Sequence, residues 1–508
     1  MDETARSRTA ALCRRTMRRD RLPGVSVAVV DETGTVYADG FGSRDLAGNR
    51  PATPETLYGV GSVTKSVTAL ALSQLREAGM LEFDDPVSAY LDVDLGDDER
   101  GEAIRLRHLL SHCSGLPSLG TSEALIGRRL RRDTDTLPMA SEADFRAHLE
   151  GAMGREDIGA VGDAVGAPGP GGATDERVGA PGERFAYANA GYVLLGWVIE
   201  ETTGRPYDRY VGEHVLDPLG MERTTFDDAA FAMDDDHATP YLRGGPDGRR
   251  ASGDGGRGRE ELVAASLPTR ELSRPAGGLL APVSELSTYV RLFLGEGSVD
   301  GREVVPPETA ATLTEGRVDT PAGAYGFGWR RRSCCGRELV GHSGSIAVSS
   351  AYVGFSRAAD LGVVVAANSS PTYPLARLGE GVFACALGRE PAEAVPFFER
   401  RRRFDRLTGE YASYRGLKRA SVARDGGTLR LELAGPLGGE SLPLFETDDD
   451  DPYAFYTPTE AGRRAPVEFR VGAGDGGAPG PRAADGANVD LLYDRWHLHK
   501  VADDVPDE

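Results

Sequence analysis

Apolar positions along the chain change period several times, and each change marks an element. Residues 3–19 place them at helical spacing among charges and read as an amphipathic first helix. GVSVAVVD (24–31) and TGTVYADGFG (33–42) read as two strands of a hairpin turning at Glu32-Thr33-Gly34. A helix opens near Ser62 and runs to Gly79; Val67, Leu70, Ala71, Leu75 and Ala78 recur at its period, so it is largely buried. A second helical segment, IRLRHLLSHCSGLPS (104–118), ends in a Gly-Leu-Pro turn, and PGERFAYANAGYVLLGWVIEETTG (181–204) reads as a turn followed by an apolar helix. Residues 154–182 and 243–260 are dominated by small, Pro and charged residues that cannot bury a core, and read as surface insertions.

From Tyr325 the texture becomes strand-rich: YGFGWRRR, RELVGHSG, AVSSAYVGF and LGVVVAANS, then a helix near Pro374–Leu387. Strands at both ends with helices between predict an α/β (α+β) architecture, a mostly antiparallel sheet closed by N- and C-terminal pieces plus an all-helical part. FFERRRRFDRL (397–407) reads as a linker. Beyond it GEYASY, TLRLELA, YAFYTP, VEFRVGAG and VDLLYDRWHLHKV are spaced like a small antiparallel β domain. A length of 508 residues is too great for one ordinary core, and the expected division is 1–399 and 400–508.

Ser62 and Lys65 form a Ser-x-x-Lys on the first turn of the predicted helix, where residues three apart share a face and the amine can stand beside the hydroxyl. Only Lys65, Lys418 and Lys500 occur among 58 basic residues, so lysine persists here where arginine is otherwise the default. Guanidinium is never deprotonated and could not take the serine proton. Three further segments carry polar groups at turns or strand edges: Tyr187-Ala188-Asn189, His342-Ser343-Gly344, and Arg274-Pro-Ala-Gly-Gly-Leu279.

Ser62-Val-Thr-Lys65, Tyr187-Ala-Asn189 and His342-Ser-Gly344, in this order, resemble the serine β-lactamase and penicillin-binding-protein superfamily. The match is to its class C β-lactamase-like branch, which also holds esterases and D-aminopeptidases. RHLLSHCSGLP, PGERFAYANAGYVLLGWVIE and PAGGLLAPVSEL also look like that branch, over roughly residues 15–390, and the C-terminal β domain resembles the small lipocalin-like barrel appended to many relatives. The resemblance implies a β-lactamase/transpeptidase-like fold and a cofactor-free serine hydrolase acting on a small ester or amide. Ser62 would be acylated, and Lys65 and Tyr187 would jointly serve as base, Tyr187 being drawn toward phenolate by the lysine. Asn189 would orient the substrate and Lys65, with His342 and Gly344 along the substrate strand, and the backbone N–H groups of Ser62 and Ser345 would hold the oxyanion. His342 stands where the superfamily usually has lysine, so a substrate carboxylate loses a fixed cation; this favours an esterase or peptidase over a true β-lactamase, with D-amino-acid peptidase or weak β-lactamase activity the alternatives. A non-hydrolytic scaffold of the same fold is the contrasting reading, and the intact Ser62, Lys65 and Tyr187 speak against it.

A net charge of −21 argues against nucleic acid or an anionic membrane as partner, and acid excess with scarce lysine suggests a halophilic surface. The N-terminus is charged throughout, with no apolar signal segment, and the odd, scattered cysteines (Cys13, Cys113, Cys334, Cys335, Cys385) form no metal or disulfide framework; a cytoplasmic protein is expected. No metal site is expected: His108-x-x-x-His112 lacks the glutamate of a zinc motif, and His497 and His499 share a strand face as exposed residues.

Overall fold

The computed structural model describes residues 1–95, 103–118, 120–130, 141–153, 177–244, 262–268, 271–434, 439–448, 451–472 and 488–503. Most of both low-complexity insertions, 154–176 and 245–260, lies outside the described residues. The chain divides into two compact units, Met1–Glu390 and Pro391–Glu508.

The first unit is mixed α/β around a nine-stranded sheet whose neighbours are all antiparallel. Five strands from the C-terminal half, Gly323–Tyr325, Arg330–Cys334, Arg337–Ser345, Ser350–Ser356 and Leu361–Ala367, follow one another in space as in sequence. The last pairs with Gly24–Asp31 of the N-terminal hairpin, Val25 opposite Ala367. The hairpin turn is held by Asp31, whose Oδ1 accepts from the Thr33 and Gly34 amides and the Thr33 hydroxyl.

The Ser62 helix is largely buried, as its apolar spacing predicts. A 3-10 turn, Gly61–Val63, leads into an α-helix, Thr64–Glu77, buried on every side from Thr64 to Ser73: Lys65, Ser66 and Thr68 are as inaccessible as Val67, Leu70 and Ala71. Its hydroxyls are satisfied locally, Ser66 donating to Val63 O and Ser73 to Ala69 O, which lets a helix with so many polar groups occupy the core. Ala78 is exposed, because the helix has ended at Glu77.

In the second unit eight strands close into an antiparallel barrel, from Gly409–Ala412 to Trp496–Asp503. Its interior is filled by its own side chains, among them Tyr411, Leu431, Phe455, Phe469 and Leu491. The run read as a linker is part of this unit. Pro396–Leu407 is a helix, and Phe404 and Leu407 join the barrel core while Arg400 and Arg403 pair with Glu446. Two strands absent from the sequence reading, Arg419–Asp425 and Glu440–Glu446, complete the closure.

Candidate active site

Ser62 sits at the mouth of the buried helix on a turn that only glycine neighbours permit. Gly61 has φ +55°, and a Cβ there would lie 2.6 Å from Ser345 N. From the other side, a Cβ on Gly344 would lie 2.5 Å from Ser62 N and 2.0 Å from Val60 O. Two glycines thus let the strand Arg337–Ser345 lie directly against the nucleophile's backbone, bringing the Ser345 main chain to Ser62. The neighbouring strand Arg330–Cys334 pairs no further than Arg330 opposite Gly341, so one edge of His342–Ser345 is unpaired among the described residues. An open strand edge beside a serine is a place where an extended substrate can add its own backbone hydrogen bonds.

Lys65 Nζ lies 3.0 Å from Ser62 Oγ, 2.7 Å from Asn189 Oδ1 and 2.6 Å from Ala276 O. Burial holds the amine well below the ordinary lysine range, reinforced by the charge of Arg330 and opposed by Glu123. A neutral amine has two N–H donors and one lone pair. Asn189 Oδ1 and Ala276 O are obligate acceptors, so once the amine is neutral they take both donors and the lone pair is left to the Ser62 hydroxyl. Ala276 belongs to the short helix Arg274–Gly277, fixed by the Arg274–Asp208 ion pair at 2.9 Å and by Thr68 Oγ1 on Pro275 O at 2.7 Å. Asn189 opens the helix Asn189–Thr203.

Tyr187 is placed by a loop rather than by an element. The Ser111–Ser118 loop grips its approach through Gly182 N on Cys113 O (2.6 Å), Ala186 N on His112 O (2.7 Å) and Ala188 N on His112 Nδ1 (3.2 Å). His112 also lies against the tyrosine ring, centroids 4.1 Å apart. Lys65 Nζ lies 5.0 Å from the Tyr187 ring centroid. The expectation of a phenolate is corrected: burial pushes the phenol up to about 12, outweighing Ser62 and the charge of Arg330, which both favour the anion.

His342 is buried at 1% exposure, with Nδ1 2.8 Å from Ser343 O and Nε2 3.0 Å from the Tyr325 hydroxyl. Desolvation, with Arg330 and Lys65 nearby, holds it well below the ordinary histidine range, so the ring is neutral. His342 thus supplies no cation, but a guanidinium stands beside the Tyr187 ring. Arg330, unmarked in the sequence reading, lies 5.5 Å from the Phe185 and Tyr187 ring centroids and 5.3 Å from that of Tyr325. Of the three consecutive arginines, Arg331 pairs with Glu338 and Arg332 with Glu380, whereas Arg330 has no carboxylate partner among the described residues. Beyond Ser62, Leu125, Ile126, Pro268 and Ile346 wall a small, mostly apolar cleft.

His108 and His112 do not converge on a common point through their accepting nitrogens: each Nδ1 takes a different backbone amide, from Arg105 and Ala188. The five cysteines are free thiols, and no helix among the described residues is long and apolar enough to cross a membrane.

Comparison with known proteins agrees with this geometry. The Beta-lactamase family model matches residues 9–382, and the Pab87 octamerisation domain matches 391–499. The octameric penicillin-binding protein homologue from Pyrococcus abyssi superposes with a TM-score of 0.80 at 30% identity, covering 98% of this chain and 100% of that one. A D-stereospecific amidohydrolase from Streptomyces sp. shares the fold (TM-score 0.53, 24% identity, 72% of this chain, 94% of that one). Protein flp of Staphylococcus aureus strain MW2 is 25% identical over 359 residues, 70% of this chain; the match spans 62% of the relative's length. The family match over most of the chain and the full-length structural relative lead to one conclusion: the chain belongs to the beta-lactamase family.

Proposed function

We propose that the protein cleaves a small ester or amide through an acyl-enzyme on Ser62, with Lys65 as the base and Tyr187 as the proton donor to the leaving group. The observation that carries this is the set of partners at Lys65 Nζ, two acceptors and one serine hydroxyl around a buried amine that burial holds well below the ordinary lysine range. As Ser62 Oγ attacks the carbonyl carbon, its proton passes to the Lys65 lone pair. The carbonyl oxygen becomes an oxyanion held by the Ser62 and Ser345 N–H groups. Collapse breaks the bond to the leaving group, which takes the Tyr187 proton; Lys65 returns its extra proton to Tyr187. Water then repeats the sequence, and the acyl group leaves as the acid. Asn189 fixes the amine and orients the substrate, which lies along the open edge of His342–Ser345.

Arg330 favours, among amides, those with a free carboxylate, the chemistry of a C-terminal peptide residue; the Streptomyces amidohydrolase is a D-stereospecific relative in fold. A cytoplasmic setting agrees with five free thiols. The match at 391–499 and the octameric Pyrococcus relative support assembly into an oligomer through the barrel unit. The test is a panel of short acyl esters, D-amino-acid amides, carboxylate-ending D-dipeptides and a chromogenic cephalosporin, run against wild type, Ser62→Ala and Arg330→Ala. Ser62→Ala should abolish every activity. Arg330→Ala should weaken carboxylate-bearing substrates at least tenfold and leave neutral esters within about threefold. Hydrolysis surviving in Ser62→Ala sinks the mechanism; equal losses on both substrate classes sink the carboxylate assignment.

A further inference from the structure

Far along the chain from Ser62, the last two strands of the barrel bring together three side chains that the hydrolase reading does not use. His497 and His499 alternate with the buried Leu498 on Trp496–Asp503, and Asp490 lies opposite His499 on Asn488–Tyr493. The alternation turns all three outward, while Leu491 and Leu498 fill the barrel. His497 Nε2 lies 3.1 Å and His499 Nδ1 2.8 Å from the two Asp490 oxygens, and the rings are 4.7 Å apart. One ligand atom from each residue falls within 4.8 Å of the others.

We propose that Asp490, His497 and His499 form a binding site for a divalent transition metal, zinc or copper, on the outer face of the barrel. The chemistry of the donor set supports it: two imidazoles and a carboxylate suit these ions. Ligand bonds of about 2.0–2.2 Å place tetrahedral ligands roughly 3.4 Å apart; each imidazole nitrogen already lies near that separation from one Asp490 oxygen, and small tilts of the exposed rings bring one atom of each residue from within 4.8 Å to that spacing. Strand geometry supplies the preorganisation, since residues two apart on one strand and a cross-strand neighbour share a face without any loop to order. Both nitrogens that would ligate already point at the carboxylate. Binding requires only that each imidazole carry its proton on the solvent-facing nitrogen, leaving a lone pair toward the ion and a fourth position for water. Histidine is scarce, eight in the whole chain, and these two share one carboxylate. Across the sheet Arg470, opposite Asp490, is neutralised by Glu468 at 2.7 Å, so no unpaired cation stands against the ion there.

The test uses the full chain after chelator treatment, titrated with zinc by calorimetry and with copper by electron paramagnetic resonance at pH 7.5. The expected result is one saturable site per chain, with copper hyperfine structure showing two nitrogen ligands. Asp490→Asn should weaken it about tenfold or more, and the double variant His497→Gln/His499→Gln should lose it, with far-UV circular dichroism unchanged. The copper spectrum of wild type needs no variant: absence of two-nitrogen coupling overturns the proposal. So does binding that is unchanged in the double variant, or no saturation below millimolar zinc.

Discussion

Replacing Lys65 by arginine separates charge from basicity. Guanidinium keeps the positive charge and the donors that Asn189 Oδ1 and Ala276 O require, but it has no lone pair to offer Ser62. Losing the base should cost about 10²–10⁴-fold in acylation, roughly 2.7–5.4 kcal/mol of barrier. The larger head must also fit where the amine sits, fully buried among oxygens 2.6–3.0 Å away, and such overpacking costs about 1–3 kcal/mol of stability. Lys65→Arg should therefore be nearly as inactive as Lys65→Ala, with a lowered thermal midpoint. The pH dependence follows from the same depressed amine. Activity needs the neutral form and is lost as pH falls through the folded-state value, well below the usual lysine range. In the window between that value and the ordinary one the unfolded chain binds the extra proton, so stability rises with pH there, by about 1.4 kcal/mol per unit, relative to Lys65→Met. Burst kinetics with a p-nitrophenyl ester, intact-mass detection of Ser62 labelled by a fluorophosphonate, and thermal melts at several pH values provide the readouts. Acylation of Lys65→Arg within about threefold of wild type would falsify the base assignment.

Tyr187→Phe removes the proton donor but leaves the Lys65–Ser62 pair, so amides with poor leaving groups should slow by about 10²-fold or more while activated esters lose far less; equal losses on both contradict the donor role. EDTA should leave ester hydrolysis unchanged, because the groups around Ser62 are an amine, an amide, a phenol and a guanidinium; inhibition reversed by zinc refutes this. The net charge of −21 implies self-repulsion, and the Debye length falls from about 10 Å at 0.1 M salt to about 3 Å at 1 M. Thermal midpoint and activity should rise together from low to molar KCl, and a midpoint that stays flat or falls argues against a halophilic surface.

What was legible in the sequence was local. Ser62 and Lys65 declare themselves because one helical turn sets their relation, and the strand at 361–367 because its apolar run is nearly continuous. Arg330 was hidden within three arginines, and only the strand pairing and the carboxylates of Glu338 and Glu380 show which of them is unpaired. The Ala276 carbonyl has no side-chain signature at all. Tyr187 was found, but its protonation state depends on how far it is desolvated, a tertiary property. In the barrel, Arg419–Asp425 offers only Ala420 and Val422 to the core among charges, and Glu440–Glu446 contains Pro443, which reads against a strand. The 396–407 helix was masked by its arginines, since two apolar side chains suffice to dock it.

The pairing of the first strand with the last long strand of the sheet has a consequence for how the protein comes into being. Gly24 N donates to Asn368 Oδ1 across 344 positions of chain. At about 5–20 residues per second, a ribosome needs roughly 17–70 s to supply the partner of a strand already made. During that interval GVSVAVVD, apolar and β-prone, lacks its Leu361–Ala367 neighbour. The cleft obeys the same schedule, because Ser62 is synthesised long before the Gly344 edge that completes it. Hydrolytic competence is therefore a late, cooperative event in the life of each chain, and a nascent fragment stalled before residue 337 holds the nucleophile and its lysine without the strand against which a substrate would lie.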